Sequence, residues 1–147
     1  MNVLYILLII PLLTSFGIAM VRDIKQVRVV AAIGMGLQLL TSFWLLYLFY
    51  EQRNAGNTDD MLFVSSTMWY EAFNIQAKFG VDGVSVAMIL LTSIVTFAGV
   101  FASWQVEYLT KEFFISLIIL AGGVFGFFVS LDLFTMFLFY EVAVIPM

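Results

Sequence analysis

The sequence contains neither cysteine nor histidine. Without cysteine there is no disulfide and no thiolate to hold an iron–sulfur cluster. Without histidine no imidazole can ligate haem or zinc, and neither a Cys–His nor a Ser–His nucleophile can be assembled. Redox chemistry therefore cannot reside in this chain's own side chains. Charge is also scarce: 11% of the 147 residues are charged, and six Lys and Arg against ten Asp and Glu leave a formal net charge of −4. No basic surface is available to hold nucleic acid through its phosphates, so DNA and RNA are excluded as partners. Apolar residues are what the sequence has in excess, at 63% hydrophobic and 17% aromatic with a mean hydropathy of +1.08. This is the composition of a membrane protein, and the lipid bilayer is its first partner. The informative question is which of the few ionisable groups lie inside the membrane.

Crossing about 30 Å of hydrocarbon takes roughly 20 apolar residues as a helix, and the long unalternating runs here exclude a barrel. The fold class expected is all-α membrane protein, with about five transmembrane helices and a small extramembrane hairpin in one N-terminal membrane region, 1–147. The expected spans are 3–21, 29–50, 83–104, 113–129 and an incomplete 132–147. The first lacks the basic leader and small-residue cleavage pattern of a secretory signal and is expected to be retained. Segment 51–82 is polar by comparison. Within it, Asn74-Ile75-Gln76-Ala77-Lys78-Phe79 alternates in the way a strand does, which predicts a hairpin near 63–80. Asp82 is placed to cap the third span, Glu107 to Glu112 form a short polar connection, and Ser130-Leu131-Asp132 can turn the chain and cap a new helix. The last run holds about 15 residues from Leu133 to Met147, roughly 22 Å, which is less than a crossing. The natural protein is expected to continue. Arg22, Lys25 and Arg28 in the first connection set the orientation, with that connection inside and the N-terminus, segment 51–82 and Asp132 outside.

Every charged side chain can be placed at or beyond an interface except Glu141. It follows Asp132 by nine residues, roughly 13.5 Å along a helix and close to the bilayer midplane. A charge there costs a few kcal/mol, and such residues face a bundle interior or a wet cavity. The plainer alternative is a carboxyl kept protonated by burial or snorkelling from a frayed end. Pro146 adds to the functional case: it has no amide hydrogen, so the carbonyl of Val142, next to Glu141, loses its helical partner. A carboxyl beside a locally opened membrane helix has the physical character of a proton or ion site. Neither Lys78 nor Lys111 reads as its partner, so a complete relay must take residues from elsewhere. The remaining features carry plainer meanings. Gly122-Gly123 with Gly126, and Gly34-Met35-Gly36, lie inside apolar spans and suit close helix packing. Gln38 suits an interhelical hydrogen bond, with lining a wet path as the alternative. The Arg22 to Arg28 cluster suits topology determination, with contact to anionic lipid as a lesser alternative.

Taken together these residues resemble a known family. Gly80-Val81-Asp82-Gly83-Val84-Ser85 with Leu91-Thr92 resembles the opening of the third helix in the antiporter-like membrane subunits of respiratory complex I, the proton-pumping NADH:quinone oxidoreductase. Ser130-Leu131-Asp132-Leu133-Phe134 and Phe139-Tyr140-Glu141-Val142-Ala143-Val144-Ile145-Pro146-Met147 are similar to that family's fifth helix. Phe-Tyr-Glu with Ile-Pro-Met is similar to the M-type subunit, chain 4. The resemblance implies an N-terminal portion of a larger antiporter-like helix bundle, with Glu141 as the proton-translocating glutamate and Pro146 shaping its helix. It further implies an inner (plasma) membrane location and other complex I membrane subunits as partners. NADH, FMN, iron–sulfur clusters and quinone would be held by partner subunits and none by this chain. The rival readings are a subunit of a multi-subunit cation/proton antiporter and a short membrane scaffold without transport.

Overall fold

The computed structural model describes residues 3–73, 75–108 and 111–147. Among them five α-helices and one two-stranded sheet follow in the order α1 (Val3–Met20), α2 (Ile24–Asn54), β1 (Leu62–Tyr70), β2 (Ile75–Val81), α3 (Gly83–Ala102), α4 (Lys111–Val129) and α5 (Leu133–Val144), with a single 3-10 turn, Glu71–Phe73, between the strands. α1 to α4 are long and apolar enough to cross a membrane, and α5 is a shorter apolar helix. The number of these helices agrees with the five expected, and the chain is a multi-pass membrane protein. The largest difference is α2, whose 31 residues run about 46 Å and pass the expected 29–50 span at both ends. At its start, Asp23 accepts the Lys25 amide at 3.2 Å and draws the basic cluster into the first turn. At its end, Glu51, Gln52 and Arg53 are good helix formers, and helix gives way at Gly56, whose φ of +88° is left-handed. Lys111 and Glu112, expected in a polar connection, form the first turn of α4.

The hairpin lies where the alternation placed it, with β1 and β2 antiparallel and Ser65 opposite Phe79. Asn74, the first residue of that alternation, and residues 109–110 of the expected polar connection lie outside the described residues. Between Leu62 and Ser65 the register shifts, and there Phe63 takes a left-handed φ of 58°, a conformation that one type of β-bulge uses. The hairpin is fastened to one end of the helices. Tyr5 on α1 shares a 2.8 Å hydrogen bond with Ser65, the Leu131 amide donates to the Lys78 carbonyl at 2.8 Å, and Ser130 forms an isolated bridge with Phe79. At the opposite end the Lys111 ammonium donates to the carbonyls of Ala19 and Val21, a cation seated on a helix C-terminus. Arg28 there donates to the Val106 carbonyl at 3.1 Å.

These two sets of contacts fix an up-and-down arrangement. α1 packs on α2 and α4, α2 on α3, and α3 on α4, so the first four helices close a ring, while α5 lies outside it against α4 and β2. Two apolar cores fill the ring. Leu4, Leu7, Leu45, Ile89 and Phe125 belong to the one on the hairpin side, and Ile18, Val27, Met35, Phe114 and Ile118 to the other. Lipid tails are as apolar as these side chains, so close approach and hydrogen bonding, more than the hydrophobic effect, hold such helices together. Added Cβ atoms would run into Thr14 at Gly34, into the Ala143 backbone at Gly123 and into Phe139 at Gly126, and would press tightly on Pro11 at Gly122.

Asp82 caps α3 as its position predicts, accepting the Ser85 amide at 2.7 Å. That backbone hydrogen bond, then the Ser85 hydroxyl, holds its carboxyl below the usual carboxylate value of 3.8. A lowered folded value means that the cap stabilises fully above about pH 3.8 and is lost as pH falls through the folded value. Asp82→Ala is expected to cost about 1 kcal/mol in detergent unfolding at neutral pH. The gap between the two proteins should narrow on acidification below pH 3.8, and a gap that does not change as pH falls would contradict the cap's role.

Candidate functional site

α5 begins where Asp132 accepts the amides of Phe134 at 3.1 Å and Thr135 at 3.4 Å, the N-cap expected from Ser130-Leu131-Asp132. Its seat on α4 is built from small residues. Phe139 lies on Gly126, and Ala143 lies on Gly123 so closely that a Cβ there would come within 2.7 Å of the Ala143 nitrogen. Residues 139 and 143 are one helical turn apart on the buried face. Glu141, midway between them, is turned about 200° away and is exposed.

The depth of Glu141 follows from its neighbour. Val142 lines a small apolar cavity of about 240 Å³ together with Leu8, Pro11 and Gly122, and Pro11 stands halfway along α1. Glu141 is therefore at mid-height of the helices, which agrees with about nine residues of rise from Asp132. Around it the outward face of α5 is apolar, with Phe134, Phe137, Tyr140 and Val144 exposed. A groove of about 620 Å³ lined by Phe127, Phe134, Met136, Phe137 and Tyr140 runs along the hairpin half of this face.

Neither lysine named in the sequence is near. Lys78 is on β2, where its carbonyl meets Leu131, ten residues and about 15 Å along the chain direction from Glu141. Lys111 is spent on α1 carbonyls at the far end. Among the described residues no basic group pairs with the Glu141 carboxyl. Pro146 lies just past α5, beyond the C-cap Ile145, whose amide donates to the Glu141 carbonyl. It marks the helix end in this structure, and its ring nitrogen has no hydrogen to offer Val142.

A second proline does open a helix inside the ring. Pro11 has no amide for the Leu7 carbonyl, and the fully buried Gln38 of α2 donates its Nε2 to that carbonyl at 3.0 Å. Gln38 is thus the interhelical hydrogen bond expected of it, although its Oε1 is buried without a protein partner. Ser42 and Thr14 return their hydroxyls to their own helices, on Gln38 and Ile10 carbonyls respectively. Thr135 differs: its hydroxyl is buried and unpartnered beside a cavity of about 300 Å³ under the hairpin. Nothing local in the sequence marks this hydroxyl or the partner that the Leu7 carbonyl finds. The signal for Pro11 was present, since the rule applied to Pro146 holds equally for Pro11 and Leu7.

Iron–sulfur ligation needs thiolates that this sequence lacks, and among the described residues no three acids gather as metal ligands.

No protein-family model matches the chain. It is 32% identical over 155 residues to the NADH-quinone oxidoreductase subunit M of Rhodobacter capsulatus, covering 99% of this chain and 28% of that relative. To the chloroplastic NAD(P)H-quinone oxidoreductase chain 4 of Chara vulgaris it is 31% identical, covering 97% of the chain and 29% of the relative. A chain 4 protein of Trichodesmium erythraeum is 27% identical, with 95% and 25% covered. Among solved structures, a chain of the membrane-bound sulfane sulfur reductase, an archaeal respiratory membrane complex, has the same fold. It matches with a TM-score of 0.76 at 16% identity over 99% of this chain and 29% of that one. The chain spans a quarter to three tenths of the curated relatives it matches. By sequence the chain is similar to a part of this size in proteins named chain 4 or subunit M of the NAD(P)H- and NADH-quinone oxidoreductases.

Proposed function

We propose that the chain works within the membrane part of an NADH:quinone oxidoreductase and that Glu141 takes up and releases a proton as the complex turns over. The observation that carries this reading is a single carboxyl at mid-height on an otherwise apolar helix face, turned away from every basic group of the described residues. A charge so placed is costly unless a partner reaches it. A cation approaching from a further helix favours the ionised form, and its withdrawal favours the protonated form. That alternation loads and unloads a proton without any redox centre in this chain. NADH oxidation, FMN, the iron–sulfur clusters and quinone reduction then belong to partner subunits, and the covering helix to the remainder of the polypeptide or to a neighbouring membrane subunit.

On this reading the chain lies in an inner (plasma) membrane, and the Lys and Arg distribution supports an N-terminus outside. Arg22, Lys25, Arg28 and Lys111 gather at one end of the helices, with Asp23, Glu107 and Glu112, while the hairpin end carries only Arg53 and Lys78 among six acids, Glu51, Asp59, Asp60, Glu71, Asp82 and Asp132. Disrupting the gene tests the assignment against the cation/proton antiporter and scaffold alternatives. Membrane vesicles from the disrupted strain are expected to lose proton uptake driven by NADH and quinone. Unchanged uptake together with sodium-sensitive growth would overturn the oxidoreductase reading in favour of an antiporter, and unchanged uptake without it would favour a scaffold.

A further inference from the structure

At the basic end, where α1 turns into α2, Val21, Lys25, Gln26, Val29 and Val30 line a groove of about 380 Å³. Its walls are valines and its mouth carries a cation. Two of the four basic side chains at this end are already committed, Lys111 to the Ala19 and Val21 carbonyls and Arg28 to the Val106 carbonyl. Arg22 and Lys25 are exposed, and among the described residues their side chains have no protein partner. Asp23, between them in the sequence, accepts the Lys25 amide as the α2 cap. Below the groove the same face of α2 continues at three- and four-residue spacing as Ile33, Leu37 and Leu40, all more than half exposed. From Val29 to Leu40 this stripe runs about 16 Å, close to the depth of one leaflet.

We infer that this groove binds an anionic phospholipid, its phosphate held by Lys25 and Arg22 and one acyl chain laid along Val29, Val30 and Ile33. The two ends of such a lipid match the two ends of the site. A fixed negative charge meets unpaired cations at the interface, and a hydrocarbon chain meets an apolar stripe that leads straight into the bilayer. A zwitterionic headgroup carries its own cation and gains less from Lys25 and Arg22. The site depends only on these residues and on the chain's being in a membrane, so it stands apart from any role of Glu141.

The test is lipid retention by the protein extracted from its own membrane, exchanged with equal amounts of phosphatidylglycerol and phosphatidylcholine of identical chains and weighed by native mass spectrometry. Phosphatidylglycerol is expected to be retained over phosphatidylcholine by about tenfold or more. The double variant Arg22→Gln and Lys25→Gln should lose that preference, and Lys25→Arg should keep it. Lys78→Gln removes the same charge at the hairpin end and should change nothing. Val29→Trp, which fills the groove and leaves both cations, should lower retention of phosphatidylglycerol several-fold. Equal retention of the two lipids, or a preference that survives the double Gln variant, would overturn the proposal. Unchanged retention by Val29→Trp, or displacement of the lipid by inorganic phosphate, would reduce the groove to a bare anion contact and overturn it equally.

Discussion

Replacing Gly123 with alanine is expected to lift α5 from α4, and replacing it with leucine to prevent stable assembly. The added Cβ would sit 2.7 Å from the Ala143 nitrogen and 2.9 Å from its Cα, so the obstacle is backbone and no rotamer change removes it. Overpacking of this kind costs about 1–3 kcal/mol for a methyl group, and more for a larger side chain. The loss is concentrated on α5 because that helix stands outside the ring and rests on α4 and β2. Gly99→Ala is the matched control. Nothing lies within 4 Å of a Cβ at that position, and alanine is the better helix former by about 1 kcal/mol. Thermal unfolding in detergent should therefore fall for Gly123→Ala and stay level or rise for Gly99→Ala. Equal unfolding of Gly123→Ala and the parent protein would mean that α5 is not seated as described.

The architecture was legible in the sequence to the extent that it is governed by local rules. Runs of apolar residues long enough to cross hydrocarbon give α1 to α4, an acid just before an apolar run gives the caps at Asp82 and Asp132, and strict alternation gives β2. The boundaries were less legible because hydropathy marks where lipid ends, and a helix need not end there. α2 continues through Arg28 at one end and to Asn54 at the other, since neither charge nor exposure breaks its hydrogen bonds. Partnerships across the chain were the least legible part. Pro11 announces an orphaned Leu7 carbonyl, but nothing local says that Gln38, on another helix, satisfies it. Lys111 reads as an interfacial cation, yet its bonds are to carbonyls of Ala19 and Val21, about ninety residues away.

The candidate site divides in the same way. Glu141 stands out in the sequence because it alone breaks a membrane run too deeply to be an interfacial residue. Its facing does not stand out, because that depends on where the small residues of α4 lie. Gly126 and Gly123 accept Phe139 and Ala143, and this register turns residue 141 outward. Glutamine at position 141 keeps the size and hydrogen-bonding reach of the side chain and removes only its ability to carry a proton. Outward placement means that no described core contact is disturbed, so Glu141→Gln should assemble at the parental level, in contrast to Gly123→Leu. Loss of a group that gives and takes a proton in the working step is expected to lower the rate of that step by about tenfold or more. Glu141→Asp, which keeps the proton and shortens the reach by one methylene, should fall between the two.

The most direct measurement is the number of protons taken up per NADH oxidised, in membrane vesicles from a strain carrying Glu141→Gln in the full-length gene. Assembly of the complex should be verified in the same preparation. The proposed role of Glu141 predicts a normally assembled complex whose proton uptake per NADH falls well below that of the parent. A parental ratio in the Gln variant would contradict it.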